Sequence, residues 1–127
     1  MNVLFICVQN AGRSQIAEAL FRRAAAGAHE ARSAGTSPAA HVHPEVIEAM
    51  REVGVDLAGR APRRLEPEDV EWADAVVTMG CGDACPSIPG QQCLDWELDD
   101  PAGKSLDETR TIRDEIAARV ERLIVDL

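Results

Sequence analysis

At 127 residues, 46% hydrophobic and 28% charged, the chain has the size of one domain and the composition of an ordinary globular protein, which excludes disordered and fibrous classes. Its net charge of −9, from 13 basic and 22 acidic side chains, argues against nonspecific nucleic-acid binding, which needs an excess of Lys and Arg. No apolar run approaches the roughly 18 residues of a membrane span. The N-terminus has no basic region followed by an apolar stretch and small-residue cleavage site, so a cytoplasmic location is expected.

Asn2 to Ile6 (NVLFI) is short, apolar and rich in β-branched and aromatic side chains, the pattern of a strand buried on both faces. From Ser14 the period changes. Ile16, Ala17, Leu20, Phe21 and Ala24 predict one face of a helix that stops near Gly27. Glu30 to Ala34 reads as a second strand closed by Gly35. His43-Pro44 marks a helix start with proline at the first position, Val46, Ile47, Met50 and Val53 its buried stripe, and Gly54 its end. Arg63 to Trp72 reads as a short polar helix or a loop with helical turns. Ala75 to Met79 is a strong strand and Gln92 to Trp96 a weaker one. Around Asp99 to Gly103 the residues are those of a turn. Ile112, Ile116, Val120, Leu123 and Leu127 then define a long amphipathic helix.

Strands alternating with helices imply a three-layer α/β domain over residues 1–127, a four-stranded parallel sheet with helices on both faces. Ligands of such sheets bind beyond the carboxyl ends of the strands. There the order of elements gathers Cys7, at the end of the first strand, Cys81, two residues past the third, and Asp100, after the fourth.

Between the first strand and the first helix lies CVQNAGRSQ, Cys7 to Gln15. A loop that leads from a buried strand into a helix presents backbone N–H groups in one direction, with the positive end of the helix dipole behind them. Val8, Gln9, Asn10, Ala11, Gly12, Arg13 and Ser14 would form such a nest for a tetrahedral oxyanion, Gly12 allowing close backbone approach and Arg13 clamping two oxygens. The same positive field favours a thiolate on Cys7, to which Ser14 could donate a hydrogen bond. Helix N-capping is an equally good reading of Ser14.

The Cys-x5-Arg-Ser arrangement resembles the active-site loop of the low-molecular-weight protein tyrosine phosphatase fold. NAGRSQ at Asn10 to Gln15, SAGTSP at Ser33 to Pro38, VVTM at Val76 to Met79 and DDPAGK at Asp99 to Lys104 resemble the arsenate reductases built on that fold. The resemblance implies that Cys7 attacks arsenate, that Asp100 protonates the departing oxygen as general acid, and that a second thiol attacks Cys7 to release arsenite. Asp100 before Pro101 is by itself an ordinary turn signal.

Cys81 and Cys85, in GCGDACP, could supply an internal relay that ends as a disulfide for thioredoxin. GCGDACP also resembles members from mycothiol-using bacteria, in which the small thiol and a glutaredoxin-like protein complete the cycle. Buried structural thiols or a metal site are the alternatives for this pair, and zinc is disfavoured because no second close pair exists. Cys93 reads as core. Asn10, Glu18 and Ser33 match positions that hold potassium in some members of the family, and the resemblance implies a monomer. Two other functions stay open. One is a phosphatase acting on phosphotyrosine or small phosphate esters, disfavoured by the absence of tyrosine and by Ala-Gly-Lys after Asp100-Pro101, where phosphatases of this fold carry aromatics. The other is a noncatalytic oxyanion-binding module, which would need neither the nucleophile nor the acid.

Overall fold

A computed structural model describes residues 1–80 and 92–127. Strands β1 (Asn2–Cys7), β2 (Glu30–Gly35), β3 (Ala75–Thr78) and β4 (Gln92–Asp95) alternate with helices α1 (Arg13–Ala25), α2 (Pro44–Arg51), α3 (Pro67–Trp72) and α4 (Leu106–Asp126). All the strand pairings are parallel, in the order β2-β1-β3-β4. The chain leaves β1 toward β2 on one side and returns to β3 on the other, so a crevice opens where the two directions part, at the carboxyl ends of β1 and β3.

The expected three layers are present. Phe5, Val3 and Val77 face α1, α2 and α4 in one core cluster, while Leu4, Ile6 and Val76 face Val70 and Ala73, in and just after α3, in a smaller one. Phe5 meets Phe21 edge-on with ring centroids 5.6 Å apart and Trp96 at 6.0 Å. Complete burial of such a ring stabilises the fold by about 1.5–3 kcal/mol.

Helix ends follow local chemistry. Ala26 closes α1 in the left-handed conformation (φ 50°), just before Gly27. Pro44 opens α2, as expected. The Arg63–Trp72 stretch divides, its second half becoming α3 behind a Glu66–Asp69 capping box. A Ser105–Glu108 capping box starts α4 a full turn before the apolar stripe begins. On α1, Ala25 is buried and Ala24 exposed, a one-residue correction to the expected stripe. Cys93, expected in the core, is exposed. It pairs with Val76 on the edge strand, on the face toward α3, and that six-residue helix is too short to cover the edge. Among the described residues no helix is long and apolar enough to cross a membrane.

Helices α2 and α4 are joined by Glu52, which accepts from Arg110 Nη2 at 2.6 Å and Arg113 Nη1 at 3.0 Å. Hydrogen bonds from Arg110, then Arg113, hold its carboxyl at about 2, well below the ordinary 4.5. A depressed carboxyl contributes stability above its unfolded value and loses it as pH falls through the folded one. Glu52→Gln should therefore melt slightly below the wild type at neutral pH, with the difference closing between pH 4.5 and 2 in a thermal series; a difference unchanged by acid would show that the ion pairs contribute nothing.

Candidate active site

Cys7 ends β1 with its side chain inside the protein, and its Sγ lies 2.8 Å from Ser14 Oγ and 3.2 Å from the Asn10 N–H. Asn10 Nδ2 donates to Ser14 Oγ at 2.7 Å. With its lone pair so engaged, the Ser14 hydroxyl has its proton free for the Cys7 sulfur. The N-cap of α1 is Gly12, so Ser14 is not the cap. Its hydroxyl points at the thiol.

The loop from Val8 to Gly12 turns its carbonyls outward. Cys7, Val8, Gln9 and Ala11 oxygens accept the N–H groups of Thr36, Ser37, Ala39 and His43 at 2.8–3.2 Å. In a trans peptide the N–H points opposite to its carbonyl, so the amides of Val8, Gln9, Asn10 and Gly12 turn away from those partners, and that of Asn10 meets the sulfur. Asn10 reaches this shape at φ 50°, a conformation that asparagine tolerates better than most residues. No acidic side chain occupies the first turn of α1, which leaves its dipole unopposed at the nest. Gly35 completes the support: a Cβ there would meet the Val8 carbonyl at 2.7 Å.

Arg13 crosses from the start of α1 to the far side of the crevice. Its guanidinium, almost fully buried, donates to the Leu98 carbonyl at 3.3 Å and lies 3.5 Å from Asp100 Oδ2. It rests on Gly80, where a Cβ would come within 2.3 Å of Nη1. Asp100 is half exposed, and its other oxygen accepts the Ala102 N–H at 3.0 Å. The turn role and the contact with the arginine coexist. Pro101 packs on Gly12, whose absent Cβ would sit 2.5 Å from Pro101 Cγ. Cys7, Arg13, Ser14 and Asp100 thus meet at one sheet edge. Cys81 and Cys85 lie outside the described residues.

Asn10, Glu18 and Ser33 also come together, but as a closed network that does not fit potassium. Glu18 Oε1 accepts the Ser33 hydroxyl at 2.6 Å and Oε2 accepts Arg60 Nη2 at 2.7 Å, with Arg22 Nε ion-paired to the same oxygen at 3.2 Å. Asn10 Oδ1 accepts the Arg63 N–H at 2.9 Å and Gln15 Nε2 at 3.1 Å. Both arginines of the 60–63 stretch were missed by sequence reasoning; their signal was a basic cluster, GRAPRR, in an acidic chain. Arg63 is held in turn by Asp69, which is buried. Burial opposes ionisation there, but hydrogen bonds from Arg63, the Glu66 N–H and Arg32 outweigh it and keep the carboxyl below its ordinary range. His43, the N-cap of α2, lies beside Pro101, its Cδ2 3.6 Å from the point that a Cβ on Gly12 would occupy.

Three relatives bear on this site. A thioredoxin-dependent arsenate reductase of Corynebacterium glutamicum superposes with a TM-score of 0.82 at 45% identity; the match covers 96% of this chain and 58% of that one, so the chain spans little more than half of that protein's length. A glutaredoxin arsenate reductase of Synechocystis sp. is 36% identical, over 98% of this chain and 97% of its own length. A low molecular weight protein tyrosine phosphatase of T. tengcongensis superposes with a TM-score of 0.88 at 25% identity, covering 100% and 99% of the two chains. The family described as low molecular weight phosphotyrosine protein phosphatase matches residues 2–127. A buried cysteine beneath a loop of backbone amides, an arginine at the helix start and an aspartate across the crevice, on a sheet shared with these proteins, lead to one conclusion: the chain belongs to the low molecular weight phosphotyrosine protein phosphatase family.

Proposed function

We propose that the protein is an arsenate reductase. The observation that carries this reading is the linked set Asn10–Ser14–Cys7 beneath the amide nest, with Arg13 and Asp100 within an ion-pair distance of each other across the crevice. Arsenate would sit in the nest with the Arg13 fork on two of its oxygens. The Cys7 thiolate attacks arsenic, and one arsenate oxygen leaves as water, taking its proton from Asp100. Developing charge falls on the amides of Val8 to Ser14 and on Arg13. A second thiol then attacks Cys7 Sγ. The sulfur–arsenic bond breaks with its electron pair going to arsenic, so arsenite leaves and a disulfide forms.

Cys81 or Cys85 supplies the second thiol in one version, which ends as a Cys81–Cys85 disulfide reduced by thioredoxin. In the other, a low-molecular-weight thiol such as mycothiol attacks from solvent and a glutaredoxin-like protein finishes the cycle. A groove of about 580 Å³ beside Gln9, lined by His41, Val42, His43 and Ile47, is of a size to admit such a thiol. The names of two relatives, one thioredoxin-dependent and one a glutaredoxin enzyme, support an external thiol reductant.

The deciding experiment is a single turnover of the fully reduced protein with arsenate. Stoichiometric arsenite without added thiol, with a Cys81–Cys85 bridge in the peptide map, is expected for the internal relay. Arsenite only after a small thiol is added places the second donor in solution. No arsenite in either case, with turnover of an aryl phosphate instead, would sink the reductase reading in favour of the phosphatase that the T. tengcongensis likeness suggests.

A further inference from the structure

We propose that Arg60 is a built-in replacement for a bound monovalent cation, and that it makes the scaffold under the nest independent of potassium. Glu18 is 2% exposed, and a carboxylate so buried needs a cationic partner. It has two, Arg60, which hydrogen-bonds one oxygen while the Ser33 hydroxyl hydrogen-bonds the other, and Arg22, ion-paired at 3.2 Å to the oxygen that Arg60 holds. Asn10 Oδ1 is saturated by Gln15 and by the Arg63 N–H. The acceptor left over, Gln15 Oε1, is the buried side-chain polar atom without a hydrogen bond among the described residues, and one neutral oxygen is too few for an alkali cation. A potassium ion would have to break the guanidinium bonds and sit against two positive charges.

Arg60 acts on the nucleophile through its neighbours. The segment it anchors presents the Ala61 carbonyl to Gln15 Nε2 at 3.4 Å and the Arg63 N–H to Asn10 Oδ1 at 2.9 Å. Gln15 and Asn10 in turn bond each other, and Asn10 holds Ser14 against the Cys7 sulfur. Arg60 is therefore a positioning residue, two hydrogen-bonded steps behind the serine, and this holds whichever oxyanion the nest takes.

The test follows thermal melting, and the rate at which iodoacetamide alkylates Cys7 by peptide mass spectrometry, in KCl, NaCl and choline chloride of equal ionic strength. Neither readout involves arsenate, so its failure is separable from failure of the reductase reading. Wild-type protein should give the same Tm and rate in all three salts. Arg60→Ala should lose about 5–10 °C of Tm and alkylate several-fold more slowly, with potassium or low-millimolar guanidinium restoring part of both and choline none; Arg60→Lys should keep most of each. Wild-type protein melting higher in KCl than in choline chloride overturns the proposal. So does an Arg60→Ala deficit that neither potassium nor guanidinium reduces, which would make Arg60 an ordinary packing residue. If Arg60→Ala does not fold, the wild-type salt series and Arg60→Lys decide.

Discussion

Replacing Cys7 with serine should lower arsenate reduction by on the order of 10⁴-fold or more, with little change in Tm or in affinity for phosphate as an oxyanion probe. A hydroxyl is not ionised near neutral pH, and an oxygen in this position could not join a second thiol in a disulfide, so both halves of the cycle stop. Structure should survive because Cys7 is nearly completely buried and serine is smaller, and because the Asn10–Ser14 bond does not depend on the sulfur. Calorimetry with phosphate and an arsenite assay check the two parts. Reduction within tenfold of wild type would remove Cys7 as the nucleophile, whereas lost phosphate binding would mean that the sulfur shapes the nest.

Arg13→Lys should reduce kcat/KM by about 10²–10³-fold, the range for removing one oriented donor from an oxyanion site. Lysine keeps the charge but has no planar fork. It would also lose the bond to the Leu98 carbonyl and the flat seat on Gly80. Because the guanidinium contacts Asp100 as well, the effects of Arg13→Lys and Asp100→Asn should not add. A double variant hardly worse than Arg13→Lys alone is expected from steady-state kinetics. Strict additivity would mean that the arginine and the acid work independently, against the geometry of the crevice.

How much of this was legible in the sequence depended on how local the cause was. The strand–loop–helix around Cys7 was readable because the change from continuous apolar residues to helical spacing is a local signal, and glycine and asparagine in the loop announce their conformations. The beginning of α4 was not placed from Ile112, since the apolar stripe starts a turn after the Ser105–Glu108 capping box that opens the helix. Cys93 was misjudged because burial on a strand depends on what lies over it, and a short α3 leaves the edge bare. Arg60 and Arg63 lie 42 and 53 residues from their partners Glu18 and Asn10, and no spacing rule connects such positions. Ser14 was ambiguous for the opposite reason: capping and thiol contact call for the same hydroxyl, and only the placement of the cap at Gly12 separates them.

The order of strands also bears on how the polypeptide reaches its native state. β1 sits between β2 and β3, and its pairing with β3 joins residues some 72 positions apart, Val3 with Ala75. Closing a loop of that length has to precede the contacts that reward it, and parallel pairings of this kind slow folding. The nest adds a further delay, since Arg13 needs both Gly80 and Leu98 in place and Gly12 needs Pro101. A nascent chain that has completed β1, α1 and β2 holds Cys7 and Arg13 but neither far wall of the crevice. The Cys7 thiol should therefore acquire its full surroundings of amides and guanidinium only in the last stage of folding, once the segment before α4 has docked.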